Sequence, residues 1–465
     1  MAHTNRHHLQ VLLLTPSNSS HAFYGYNKEY MRIKDNESFF DLIWRHSQVF
    51  LQKISLSVDL FIKNELFNHA GAAAFFFLLS IPPFFLLLLI AFDRYMSSYA
   101  GASAIFFEFM KSIHENLDKD FLVKIGLLNV KTTAIGILGL LNLLWAGRAI
   151  LTAIQRGIGV VFPADKIRPP MVTNIISLII LSLLFLVSVL ITFISIGLNF
   201  VQNLLSDNVI IQTFFQSLLP VIRRSLPFFI IVLLIFLAYR FVPAKRPKTS
   251  SSLIGALGCT VSIFLVHILF SKFFTVTRYS VIYGVLGSLI LMVLWVYFSF
   301  VLFFFFAEYT FVADKLEVLV LERMYLFRGQ QDTKGKKIEK FLFSHPARII
   351  EKYARRYKPG EILFREGENS TDIFFVDRGG VDIFRKVEDR DHKIATIFEG
   401  RVFGEMAYLL QESRTATAIT ATDSILLILT NDIFEDLLKT SAPFARDVIQ
   451  VLCDRLRKTE FLIKP

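Results

Sequence analysis

A polytopic α-helical membrane bundle of about six transmembrane helices, followed by a C-terminal β-roll with flanking helices, is the fold class the sequence predicts. Three observations carry it. Residues 66–312 are dominated by Leu, Ile, Phe and Val, in runs long enough to cross a bilayer. Residues 313–465 have the charged, mixed composition of a soluble domain, with short apolar stretches punctuated by glycine. The chain as a whole is 54% hydrophobic with a mean hydropathy of +0.51, too apolar for a globular protein of 465 residues.

Residues 1–35 are polar and irregular, and a disordered N-terminal segment is expected there. The apolar run 11–14 is too short for the core of a signal peptide, and Met31 offers an alternative start. The membrane domain then covers 36–312, with apolar runs near 70–92, 132–154, 173–204, 226–242, 252–276 and 282–312. Pro82-Pro83 removes two backbone donors from the first run, so a kink or break is expected there.

Loop charge gives the orientation. The second and third runs are joined by a loop with Arg156, Lys166 and Arg168 against Asp165; the fourth and fifth by one with Arg240, Lys245, Arg246 and Lys248. Loops rich in Lys and Arg face the cytoplasm, so both termini are expected there. Arg223-Arg224, ahead of the fourth run, points the other way. The same bias accounts for a net charge of +11, and no compact basic and aromatic patch calls for a nucleic-acid partner.

Arg148 and Glu308 lie within or beside apolar runs, where an ionised group is costly unless paired or wetted. They are candidates for a polar site along the bundle, or for interfacial side chains that snorkel. His69 and His267 are lone histidines, better read as packed or interfacial. Cys259 and Cys453 make neither a disulfide framework nor a metal site, and no His/Asp/Glu group has ligand spacing, so no metal is expected. Without a Ser/His/Asp order, an HExxH or a phosphate-binding Lys loop, no enzyme activity is expected.

Family resemblance enters at the first span. The stretch Ala72-Ala73-Ala74-Phe75-Phe76-Phe77-Leu78-Leu79-Ser80-Ile81-Pro82-Pro83 resembles the YihY/virulence factor BrkB family. Tyr239-Arg240-Phe241-Val242-Pro243, Gly255-Ala256, Tyr279-Ser280-Val281-Ile282-Tyr283-Gly284, Trp295-Val296-Tyr297 and Ala307-Glu308 extend the likeness in order. It implies a six-helix protein of the bacterial inner membrane. An old ribonuclease BN label attached to that family finds no carboxylate cluster or His pair here to support it.

A connector, 313–341, follows the last span, helical over 316–326 and then polar, basic and flexible over 329–337. From 342 onward comes the soluble domain, with strands expected at 362–364, 373–376, 381–384, 394–398, 415–420 and 425–429. Gly360, Gly367, Gly379, Gly400 and Gly404 supply the turns, and helices flank the strands at 347–356, 433–438 and 445–461.

Within it, Phe403-Gly404-Glu405-Met406-Ala407 is followed by Arg414-Thr415-Ala416. Gly404 permits close backbone approach, the free N–H groups of 404–407 favour an anion, and Arg414 offers a fork of donors. This cassette, with the glycines before it, closely resembles the cyclic nucleotide-binding domain over about residues 342–465. Met406 and Ser413 depart mildly from the usual pattern. The resemblance implies a regulatory ligand, cAMP or cGMP, with Arg414 on the cyclic phosphate, Glu405 on the ribose 2′-OH, and Thr415 on the phosphate or a guanine. It also implies a final helix folding over the base, with Arg455 and Lys458 as lid residues, and a tendency to homo-oligomerise.

Two functions fit these parts. One is a transporter- or channel-like membrane protein regulated from the cytosol by cyclic nucleotide. The other is a membrane-anchored sensor or scaffold that moves no solute and docks a partner. The partners in common are the lipid bilayer and the nucleotide.

Overall fold

The computed structural model describes residues 39–95, 132–163, 228–273, 285–329, 352–387 and 390–463, together with positions 175, 225, 342, 343 and 349. The segment 1–35 and, apart from position 175, the expected span 173–204 lie outside the described residues. The chain divides into two compact units: Lys53–Gln331 with Thr430–Pro465, and Met1–Gln52 with Asp332–Leu429.

Among the described residues, six long helices precede the roll: α1 (Phe39–Lys63), α2 (Leu66–Tyr95), α3 (Thr132–Val161), α4 (Phe228–Phe241), α5 (Thr249–Phe273) and α6 (Val285–Gly329). Two of them hold stretches long and apolar enough to cross a membrane, Thr249–Ser271 in α5 and Ile290–Leu326 in α6. Leu66–Ile81 and Phe228–Phe241 are shorter apolar helices. The break expected at Pro82-Pro83 does not occur, and α2 runs on to Tyr95. Proline's fixed φ is itself helical, so the cost there is lost donors rather than a forced turn.

In the helical unit α2 packs on α3 and α6, and α6 also on α5. Small residues set these crossings. A Cβ on Gly255 would stand 2.0 Å from Thr310 Oγ1 and 3.1 Å from the Phe306 carbonyl, so α5 and α6 meet closely there. Phe304 and Tyr239 are fully buried in the shared core, and Tyr239 Oη donates to the Phe303 carbonyl at 2.6 Å. His69 and His267 lie beside Phe304 and Trp295, with ring centroids 6.4 and 6.2 Å apart.

The last of these helices is not regular throughout. Lys315 has φ −107° and ψ 18°, outside helical values, so α6 is two helices joined at a kink. No Pro or Gly stands there. Beside it, Asp314 Oδ1 accepts the Lys248 N–H at 2.9 Å, satisfying a free donor as α5 begins. Beyond the kink the helix continues to Gly329, as expected for the start of the connector.

The β-roll is two four-stranded antiparallel sheets. Its strands are β1 (Ala354–Tyr357), β2 (Ile362–Phe364), β3 (Ile373–Arg378), β4 (Gly380–Val387), β5 (Arg390–Phe398), β6 (Val402–Phe403), β7 (Thr417–Thr420) and β8 (Ser424–Leu429). The order is β1-β8-β3-β6 in one sheet and β2-β7-β4-β5 in the other. Phe364, Phe374, Val376, Val381, Phe403, Ala418 and Leu426 fill the space between them.

Six of the eight strands fall on the expected segments, within a few residues at their ends. The helix expected over 347–356 is corrected at its end: Ala354–Tyr357 is a strand, paired with β8 in the register Ala354↔Leu427 to Tyr357↔Ser424. That partner lies about seventy residues on in the chain and overrides local helical preference. All five turn glycines have φ between 79° and 91°, a left-handed conformation.

After β8 come α8 (Asn431–Thr440) and α9 (Ala442–Ile463), α7 (Glu405–Leu410) lying within the roll. Both terminal helices belong to the helical unit and pack on the extension of α6. Lys315, the residue at the kink, bonds Asp436 of α8 at 2.5 Å, and Lys245 approaches the same carboxylate at 3.7 Å. Tyr325 Oη donates to Asp447 of α9, and the Tyr325 ring meets Phe444 edge-on at 5.0 Å. Phe434 completes this aromatic group, 5.6 Å from Phe444.

Candidate functional site

The β6–α7 corner and the segment before β7 converge on one side chain. Phe403 ends β6 fully buried, its ring stacked on Phe374 at 5.2 Å and 15°. Gly404 follows at φ 82°, turning the chain into α7. A Cβ there would stand 3.0 Å from both Arg414 Nη1 and the Asp372 carbonyl, so only glycine fits without displacing them. Glu405 and Ala407 are buried at the start of α7, while Met406 is half-buried.

Arg414 arrives from the other side. Its backbone is tied to the Gly367 turn, the N–H donating to the Glu368 carbonyl at 2.9 Å and the carbonyl accepting from Gly367 at 2.8 Å. Only 3% of the residue is exposed. Nε donates to Ser370 Oγ at 2.9 Å, Nη1 to the Gly404 carbonyl at 2.8 Å and Nη2 to the Asp372 carbonyl at 2.8 Å. Beneath the guanidinium lies the Phe364 ring, its centroid 4.0 Å from Cζ, a cation–π arrangement.

Burial pulls the Arg414 guanidinium below its ordinary value, opposed by the nearby carboxylates of Asp372, Glu368 and Glu405. At neutral pH it stays a cation, since arginine starts so far above that range. Thr415 is exposed next to it and Ala416 is buried.

The expected cassette residues are thus brought together: Phe403 to Ala407 form one wall and Arg414 to Ala416 the other. Arg455 and Lys458 fall on α9, in a stretch whose side chains lie outside those described. Ser370, Asp372 and Phe364 hold the arginine, and none was singled out from sequence. They lie 42 to 50 residues away from it, a separation local pattern does not bridge.

Arg148 and Glu308 are not brought together. Arg148 is exposed on α3, whereas Glu308 is completely buried on α6. Glu308 Oε2 accepts from Asn64 Nδ2 at 3.2 Å, in the two-residue turn between α1 and α2 where Glu65 takes φ 51°. Its Oε1 has no hydrogen-bond partner among the described residues.

The class defined by these parts is a helical membrane protein carrying a cyclic nucleotide-binding roll. The profile of the cyclic nucleotide-binding domain matches residues 354–441. That of virulence factor BrkB matches residues 58–320, more than half of the chain, and the chain belongs to the virulence factor BrkB family.

Among curated proteins, the cyclic AMP receptor protein of Thermus thermophilus is 28% identical over 107 residues, 23% of this chain and 50% of that one. The cAMP-dependent protein kinase regulatory subunit of Eremothecium gossypii is 36% identical over 67 residues, 14% of each chain. Among solved structures, the Thermus thermophilus catabolite activator protein is 27% identical, with a TM-score of 0.23, over 24% of this chain and 52% of that one. The chain therefore spans half or less of the curated relatives named here.

Proposed function

We propose that this protein is a cyclic-nucleotide-regulated membrane transporter or channel-like protein of about six spans in the bacterial inner membrane, both termini cytosolic. cAMP or cGMP is its ligand, and it has no enzymatic step of its own. The observation that carries the ligand is Arg414: a buried cation within hydrogen-bond distance of the glycine that opens α7, with Glu405 buried beside it. A cyclic phosphodiester is a monoanion, suited to one guanidinium without a metal. The ribose hydroxyl is left for Glu405.

The route to the helical unit runs through the chain. Thr430 leads directly from β8 into α8, and α8 is held at the Lys315 kink of α6. A ligand that prefers one arrangement of α8 and α9 biases the kink, and hence the bundle, by its difference in affinity.

The test is flux of small ions and solutes from liposomes holding the full chain, with and without cAMP or cGMP. Nucleotide-dependent flux is expected. Its absence, alongside nucleotide-dependent capture of a membrane or cytosolic partner, would replace this reading with the non-transporting scaffold.

A further inference from the structure

We propose that Ser370 is a positioning residue for the nucleotide cradle, fixing the plane of the Arg414 guanidinium from its Nε edge while the Phe364 ring supports it from below. This rests on the reading of the cradle given above. An arginine side chain carries five N–H donors, and its fork is useful only when its plane is set. In this chain three of the five are committed to protein: Nε to Ser370 Oγ, Nη1 to the Gly404 carbonyl and Nη2 to the Asp372 carbonyl. Two donors, one on each terminal nitrogen, are left for the oxygens of an anion.

The three bonds do different work. The two carbonyls belong to backbone that the roll already holds, so no side-chain change removes them. Ser370 is the side-chain contribution, and it alone engages Nε. Without it the buried Nε–H loses its partner, and the guanidinium can rotate about its stem to find another. Rotation turns the two remaining donors away from a shared target. The rigid clamp becomes one that the ligand must order on arrival, which weakens binding without altering any atom the ligand touches. Phe364 limits the same motion by sterics and by the attraction of its face for the cation.

The test is cAMP and cGMP titration of the detergent-solubilised full chain as wild type, Ser370→Ala and Ser370→Thr, with thermal unfolding of each. Ser370→Ala is expected to weaken nucleotide binding by about 3- to 10-fold, the scale of one ordinary hydrogen bond, because the ligand itself does not touch Ser370. Thr keeps the hydroxyl and is expected to restore affinity to within about twofold, with cooperative unfolding in both variants. Equal affinity in wild type and Ser370→Ala overturns the assignment, as does a loss that tracks a lowered midpoint and is not rescued by Thr. Absence of binding in the wild type would overturn the nucleotide reading itself, and this inference with it.

Discussion

Arg414→Ala is expected to weaken cyclic nucleotide binding by about 2–4 kcal/mol, roughly thirtyfold to several hundredfold. The size follows from what is removed: a buried cation that a monoanionic phosphate would otherwise pair with, not a surface charge screened by water. Arg414→Lys separates charge from geometry. Lysine keeps the cation but has no Nε–H, so it cannot hold Ser370 and both carbonyls while facing a phosphate. Its affinity is expected to lie between those of Ala and the wild type. Both variants also strip internal hydrogen bonds, so thermal unfolding is read beside the titration. A loss of affinity in a chain that still melts cooperatively belongs to the site.

The second large effect lies outside the cradle. Asp436→Lys replaces the carboxylate that Lys315 and Lys245 share with a third cation. The pair with Lys315 is about three-quarters shielded from solvent, so the change is expected to cost about 1–3 kcal/mol, between surface and buried pairs. Nucleotide should still bind, since no cradle residue is altered. What should vanish is the effect of nucleotide on flux, because α8 no longer holds the kink. Adding Lys315→Asp restores a pair of the opposite polarity and is expected to restore the response. Lys245 is mostly exposed, and its repulsion from the new lysine is screened. An Asp436→Lys chain that keeps both its stability and its nucleotide response would rule out this route.

The same carboxylate sets a pH dependence. Burial by itself would raise Asp436, but the hydrogen bond from Lys315, its charge and that of Lys245 together hold the carboxyl below its ordinary value. Such a group stabilises the fold above the unfolded carboxylate range, about pH 4, and the contribution is lost as pH falls through the lower folded value. Asp436→Asn should flatten the acid limb of the unfolding midpoint against pH while leaving the neutral region lower throughout.

The roll was legible because its signals are local. Glycines at 360, 367, 379, 400 and 404 stand at turns that need positive φ, and the apolar runs between them became strands. Gly404, Glu405 and Arg414 could be read together because fourteen residues of chain, Phe403 to Ala416, hold the whole cassette. What depends on distant chain was not legible. The residues 354–356 carry the end of a helical pattern and become part of a strand because β8 pairs with them. Ser370 sits in a polar stretch like many others, and nothing in its neighbourhood marks it as the partner of Arg414.

In the helical unit the mismatches run both ways. Pro82-Pro83 announces a break that the helix does not make, whereas Lys315 makes one with no breaker residue. Its cause is tertiary: Asp314 and Lys315 are drawn to the loop after α4 and to α8. Glu308 stood out as a carboxyl in an apolar run, and it is buried against Asn64. Arg148 stood out for the same reason and is exposed.

The most direct measurement is calorimetric titration of the full-length, detergent-solubilised protein with cAMP and with cGMP. The full chain is the right object, because Thr430–Pro465 groups with the helical unit rather than with the roll. Saturable binding of at least one of the two, with a stoichiometry of about one per chain and loss on Arg414→Ala, is the predicted result. A folded protein that binds neither nucleotide would contradict the account, leaving the roll as a docking module on a BrkB-family membrane domain.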